Sequence, residues 1–245
     1  MIEQHTIALA GNPNTGKSTL FNLLTGLKQH TGNWAGKTVD MKAGYFSHKD
    51  RKYEIVDLPG TYSLYSNSAD EELARNYIIF EKPEITIVVL DATSLERNMN
   101  LALQVLEMTG RVIVVMNLMD EADKRGILIN EKILMRRLGV PVIKISSRNR
   151  TGVDMLLDTI DRMITGEIST EPVTVVYDEE TEKKIILLEE KAENIFQGRL
   201  PARWVALRLL DGDQRLIEEI EKRFAGRLED GFAGRASVST IGRSV

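Results

Sequence analysis

The chain has 245 residues, 42% hydrophobic and 28% charged, with a formal net charge of −4; this fits one large or two modest soluble domains and argues against a nucleic-acid partner. It has no cysteine, which excludes disulfides, thiolate metal sites and cysteine nucleophiles and fits a cytosolic setting. No apolar run approaches the roughly 18–20 residues that cross a bilayer, and Met1–His5 lacks the character of a signal peptide, so the chain as given is expected to be soluble.

In chain order, Thr6–Ala10 reads as a short buried strand that runs into a glycine-rich turn, and Ser18–Thr25 as the first helix. Residues 26–37 are Gly-rich and polar and read as a loop. Met41–Ser47 and Lys52–Asp57 read as strands around the polar turn His48–Arg51. Ile85–Leu90, Val112–Met116 and Val142–Ile145 are β-branched runs of strand length. Helical stretches are expected between them, at Ala69–Phe80, Asn98–Thr109, Glu131–Leu138 and Gly152–Ile164. Alternation of strands and helices predicts a mostly parallel sheet covered on both faces.

Strand signals stop near Gly166. Gly166–Pro172 reads as a polar linker. Beyond it, Ile185, Leu188, Ala192 and Ile195 keep helical spacing, as do Leu216, Ile217, Ile220 and Phe224, and Pro201 stands where a further helix can begin. The expected organisation is an α/β domain over residues 1–166, a small all-helical domain over 171–225, and a loose Gly-, Ser- and Arg-rich tail over 226–245.

Gly11, Asn12, Pro13, Asn14, Thr15, Gly16, Lys17 and Ser18 fit G-x-x-x-x-G-K-[ST], after a predicted strand and opening a predicted helix. In that setting the glycines turn backbone N–H groups toward a β-phosphate at the positive end of the helix. Lys17 would bridge the β- and γ-phosphates, Ser18 would hold Mg²⁺, and Thr19 completes the contacts. Asp57 ends a strand and begins Asp-Leu-Pro-Gly60. It would hold Mg²⁺ through water, and Gly60 would offer its N–H to the γ-phosphate. Thr38, in the loop after the first helix, is the expected third contact to Mg²⁺ and the γ-phosphate.

Asn117, Leu118, Met119 and Asp120 end a predicted strand. The stretch resembles the N-K-x-D element of guanine-specific P-loop proteins, with Leu118 in place of lysine. An Asp at position 120 accepts from guanine N1–H and its 2-amino group, which adenine cannot match. Ser146 and Ser147 close the next strand, where a backbone N–H would face the guanine oxygen. The expected ligands are therefore GTP or GDP with Mg²⁺. His5, His30 and His48 are scattered, so no protein-built transition-metal site is expected.

Longer motifs narrow the resemblance. Gly32 to Val39, Asp57 to Ser63, Ala69 to Arg75, and Arg203 to Leu210 with Gly212 and Asp213 are similar to stretches of the ferrous iron transport protein B family, with Ala35 where that family has proline. The similarity runs from about Ile7 to Phe224. It implies the amino-terminal cytosolic G domain of such a transporter: a Ras-like P-loop GTPase domain with a mostly parallel sheet, then a helical domain that favours GDP retention. It further implies a partner, the C-terminal membrane region that moves Fe²⁺ and is absent from this chain, and a place on the cytoplasmic face of the cell membrane. It also admits a homo-oligomer.

Many switch GTPases carry Gln after D-x-x-G to orient water, whereas this chain has the shorter Thr61. Two readings stay open. One is a nucleotide sensor, or interaction module, with negligible hydrolysis. The other is slow hydrolysis activated by K⁺, which in similar families is held by an Asn at the place of Asn14 and by loop carbonyls matching Gly32 and Trp34. Glu71 is a candidate for positioning water. A free-standing ribosome-associated GTPase is a further alternative, disfavoured by the acidic balance.

Overall fold

The computed structural model describes residues 4–26, 29–33, 40–65 and 68–228. Among the described residues seven strands form one sheet: β1 (Gln4–Gly11), β2 (Gln29–Asn33), β3 (Asp40–His48), β4 (Arg51–Asp57), β5 (Ile85–Asp91), β6 (Val112–Asn117) and β7 (Val142–Lys144). Their order is β2-β3-β4-β1-β5-β6-β7. β1 lies centrally and pairs parallel with β4 and β5, and β6 and β7 continue the parallel half. β3 pairs antiparallel with both β2 and β4.

The parallel strands lack polar alternation because both faces of the sheet are covered. Every residue of β6 is buried. Within β1 the alternation sorts side chains by face. Ile7 and Leu9 join a core with Leu20 and Phe21 of α1 (Lys17–Thr25) and Leu156 and Ile160 of α6 (Val153–Ile164). On α3 (Leu95–Met108), Leu101, Ala102 and Val105 are fully buried, and this helix packs on β1, β5 and β6. The remaining helices of this part are α2 (Ala69–Asn76), α4 (Met119–Lys124) and α5 (Glu131–Leu138).

Three expectations need correction. Residues 26–37 are not wholly loop: Gln29–Asn33 is β2, registered from Gln29 opposite Gly44 to Asn33 opposite Asp40. Its residues carry no apolar alternation, and a strand at the end of the sheet is held by its backbone ladder. The predicted helix Ala69–Phe80 is α-helical only to Asn76; Tyr77–Glu81 wind as a π-turn, ended by Lys82 in the left-handed region at φ 50°. Such a turn inserts a residue without changing the apolar character that suggested a helix. The short α4 was not expected at all.

A buried carboxylate fastens α6 to the β3–β4 hairpin. Asp161 accepts from Lys49 Nζ at 2.9 Å, Tyr53 Oη at 3.1 Å and Arg51 Nη1. Burial alone would raise its pKa, but the hydrogen bonds from Lys49, Arg51 and Tyr53 outweigh that and hold the carboxyl below its usual range. Tyr53 is pushed up to about 12, first by burial and then by its hydrogen bond to Asp161. Beside it Asp158 meets His48 Nε2 at 3.1 Å and Lys49 at 3.2 Å.

The chain divides into two compact units between Val173 and Thr174. The stretch expected as a linker is strapped to the first unit. Thr170 Oγ1 donates to the Gly110 carbonyl at 2.6 Å, Glu171 N–H to Gly139 at 2.9 Å and Val173 N–H to Leu138 at 3.0 Å. Gly139 has φ 71°, and a Cβ there would lie 1.7 Å from the Glu171 oxygen, so glycine is required where the strap crosses.

The second unit holds α7 (Glu179–Phe196), α8 (Ala202–Asp211) and α9 (Gln214–Leu228). Asp178 caps α7 by accepting from the N–H groups of Glu180 and Thr181. The predicted stripe of Ile185, Leu188, Ala192 and Ile195 is buried, as are Trp204 and Val205 of α8 and Leu216 and Ile220 of α9. Arg203 binds Glu182 at 2.7 Å and the Val175 carbonyl at 2.9 Å.

Candidate functional site

The turn between β1 and α1 is built for close backbone approach. Asn14 and Gly16 both take positive φ, 67° and 80°. A Cβ on Gly16 would fall 2.3 Å from Asn117 Nδ2, and one on Gly11 would fall 2.7 Å from the Val89 carbonyl, so side chains are excluded at both places. Thr15 Oγ1 donates to the Asn12 carbonyl at 3.0 Å and braces the turn. Asn12 is 2% exposed, and its carboxamide has no hydrogen-bond partner among the described residues. Asn14, Ser18 and Thr19 are exposed.

Lys17 is 8% exposed. Its ammonium donates to Asp57 Oδ1 and, at 2.6 Å, to the Leu58 carbonyl. Forty residues apart in sequence, the lysine of the turn and the carboxylate ending β4 are thus in direct contact. Leu58 N–H donates to Leu9 at 3.0 Å and Thr61 N–H to Gly11 at 3.3 Å, which lays Asp57–Thr61 along the turn. A Cβ on Gly60 would sit 3.5 Å from the Pro13 backbone, ordinary contact, so the two segments touch without strain.

Asn117 joins three stretches. Its Nδ2 donates to the Thr15 carbonyl at 2.9 Å, and its Oδ1 accepts from Ser147 N–H and Ser147 Oγ, both at 3.0 Å. Asp120, in the first turn of α4, accepts from Ser146 Oγ at 2.8 Å. Leu118 adopts φ 62°, uncommon for a bulky residue, and its Cδ2 would lie 3.8 Å from a Cβ on Gly16. The leucine therefore lies against the phosphate-loop glycine, so an apolar stem stands there in place of the usual lysine's. The sequence pattern flagged Asn117 for base recognition and missed its tie to the Thr15 carbonyl, which no linear spacing encodes.

Glu71 stands in the first turn of α2, where its N–H donates to Ser68 Oγ, the helix cap, at 3.2 Å. Thr38 and Trp34 lie outside the described residues; Gly32 is in β2. Among the described residues, no group of three or more His, Cys, Asp or Glu could hold a metal. The donor set fits a Mg²⁺ ion that takes one carboxylate, one hydroxyl and ligand phosphates, which is how that ion is usually bound at phosphates. The backbone fits a phosphate chain, since the turn with positive φ at Asn14 and Gly16 leads directly into the N-terminus of α1. No helix among the described residues is long and apolar enough to cross a membrane.

The family model for ferrous iron transport protein B matches residues 5–160, and that for the FeoB cytosolic helical domain matches residues 177–233. The Fe(2+) transporter FeoB of Escherichia coli (strain K12) is 41% identical over 215 residues, covering 85% of this chain and 27% of that protein. The chain thus spans about a quarter of the length of that relative. The cytosolic domain of the T. maritima FeoB iron transporter in GDP form II matches with a TM-score of 0.80 at 34% identity, covering 99% of each chain. The GMPPNP form of that domain matches with a TM-score of 0.77 at 34% identity, covering 98% of this chain and 91% of the other.

Proposed function

The chain belongs to the ferrous iron transport protein B family, and from that premise we propose that it is the guanine-nucleotide-binding regulatory part of a ferrous iron transporter. It would work on the cytoplasmic face of the membrane, coupled to a C-terminal membrane region, and would hydrolyse GTP slowly. The observation that carries this reading is the Asn117 carboxamide, which ties the phosphate loop at Thr15 to the base-side loop at Ser147. One residue thereby sets the distance between the phosphate cradle and the Asp120 carboxylate.

The geometry supports the following roles. The N–H groups of residues 14–18 would face the phosphates, and Lys17 would exchange the Asp57 carboxylate for β- and γ-oxygens. Ser18, Asp57 and Thr38 would hold Mg²⁺, which neutralises charge on the phosphates when bound. Asp120 would accept from guanine, and Ser146 Oγ donates to that carboxylate and holds it in place. Titration calorimetry with GDP, GMPPNP and ATP tests the reading. Binding of both guanine nucleotides with ATP at least a hundredfold weaker is expected. Asp120→Ala should cost about 2 kcal/mol or more of GDP affinity, because the guanine donors lose their acceptor. Comparable ATP affinity would overturn guanine selectivity.

Hydrolysis is proposed to depend on K⁺ held by Asn14 and the carbonyls of Gly32 and Trp34, where it would stabilise charge developing on the leaving phosphate. Asn14 supports this through its exposed side chain and left-handed backbone at the turn. Turnover should rise in K⁺ over Na⁺ at equal ionic strength, and Asn14→Ala should remove the difference while GDP still binds. Equal rates in the two salts would leave the second reading, a nucleotide-responsive module with negligible hydrolysis. That reading is favoured by Thr61, which is 5% exposed and too short to orient water as Gln would.

A further inference from the structure

The stretch Gly60–Leu64 carries the N–H assigned above to the γ-phosphate, and it is anchored on two sides. Toward the phosphate loop, Thr61 N–H donates to Gly11 at 3.3 Å, a long bond. Away from it, Leu64 N–H donates to Gln104 Oε1 of α3 at a short 2.7 Å, and the Leu64 side chain is 2% exposed. A third tie runs from the same helix: the Arg97 guanidinium stands 4.5 Å over the Tyr62 ring. Gln104 is next to Val105, which is fully buried against the sheet, so its carboxamide is presented from a rigid support.

We propose that α3, through Gln104 and secondarily Arg97, positions Gly60 for the γ-phosphate. Gln104 is thus a residue that favours the triphosphate over the diphosphate without touching either. The inference rests on the reading of the site as a guanine-nucleotide site. A peptide N–H that meets a ligand only in the triphosphate state contributes to discrimination in proportion to how well it is already held there. The bond to Gly11 is too long to hold it alone; the bond to Gln104 fixes the far end of the same five residues. The Arg97–Tyr62 contact is exposed and adds a smaller restraint.

The experiment titrates the whole chain in Mg²⁺ with GDP and with GMPPNP and reads the ratio of the two affinities. Gln104→Met keeps length and loses the oxygen acceptor; Gln104→Glu keeps an acceptor. Gln104→Met should lower the GMPPNP-to-GDP affinity ratio about fivefold with GDP affinity nearly unchanged, and Gln104→Glu should restore most of it. Arg97→Ala should lower the ratio about twofold, and Arg97→Lys should recover it, because either cation can sit over the ring. An unchanged ratio in Gln104→Met, or equal weakening of both nucleotides, would overturn the proposal. Failure of the unsubstituted chain to bind either nucleotide would instead overturn the reading of the site, and the proposal with it.

Discussion

Asp57 and Asp161 are both nearly buried carboxylates facing a lysine, with side-chain exposures of 9% and 6%. Asp161 is saturated: Lys49, Arg51 and Tyr53 all donate to it, and each donor comes from the β3–β4 hairpin. Asp57 has Lys17 as its one donor among the described residues, and Lys17 shares its ammonium with the Leu58 carbonyl. The first arrangement fixes a helix to a hairpin, and the loss of any one donor would still leave the carboxylate held by the other two. The second is a single contact between a phosphate-loop lysine and a strand end, so an ion or a phosphate can replace either partner at little cost. A carboxylate built to hold structure and one built to change partners thus differ in the number of donors around them more than in burial.

Two substitutions and one pH series sharpen or break that contrast. The largest expected effect is on ligand binding. Asp57→Asn should weaken GMPPNP affinity in Mg²⁺ at least about tenfold, seen by calorimetry, because the metal loses its carboxylate. Its melting temperature should move little. The next effect is on stability. Asp161→Asn should lower the melting temperature by about 5 °C, measured by calorimetric scanning, and leave nucleotide affinity within about twofold. If the two variants exchanged phenotypes, the assignment of roles would be reversed.

The smallest effect is on pH dependence. The Asp161 carboxyl is held below its ordinary value, so its contribution is complete above the unfolded pKa of about 3.9 and is lost as pH falls through the folded one. Asp158, lowered by its hydrogen bonds from His48 and Lys49, adds to the same loss. The gap in melting temperature between the unsubstituted chain and Asp161→Asn should therefore narrow between about pH 5 and pH 2. A gap that stays constant across that range would mean that Asp161 acts by packing.

The site was legible where its chemistry is linear. Gly11–Ser18 follows one strand and opens one helix, so motif and context coincide in a few residues. Asp57–Gly60 and Asn117–Asp120 end strands, where the order of elements sets their position on one edge of the sheet. Contacts across long separations were not legible. Nothing in the spacing of Asp161 and Arg51, 110 residues apart, announces an ion pair. Gln104 occupies a helix position that reads as half-solvated, and its role depends on which loop the fold brings beside it. The fold was misread where patterning carries no information: β2 offers no apolar alternation, and the π-turn after Asn76 keeps the apolar run of a normal helix.

The strap along residues 170–173 decides how this protein can be dissected. Cutting at residue 166, where composition suggests a boundary, would strip three hydrogen bonds from Gly110, Leu138 and Gly139. It would also uncover Gly139, whose backbone is open to solvent once Glu171 is gone. An isolated first unit that ended there would confound loss of the helices with damage to its own surface. Any difference in how fast it lets GDP go would be uninterpretable. A cut after Val173 removes the helices alone, and the two truncations run side by side would separate the effect of a missing neighbour from that of a frayed edge.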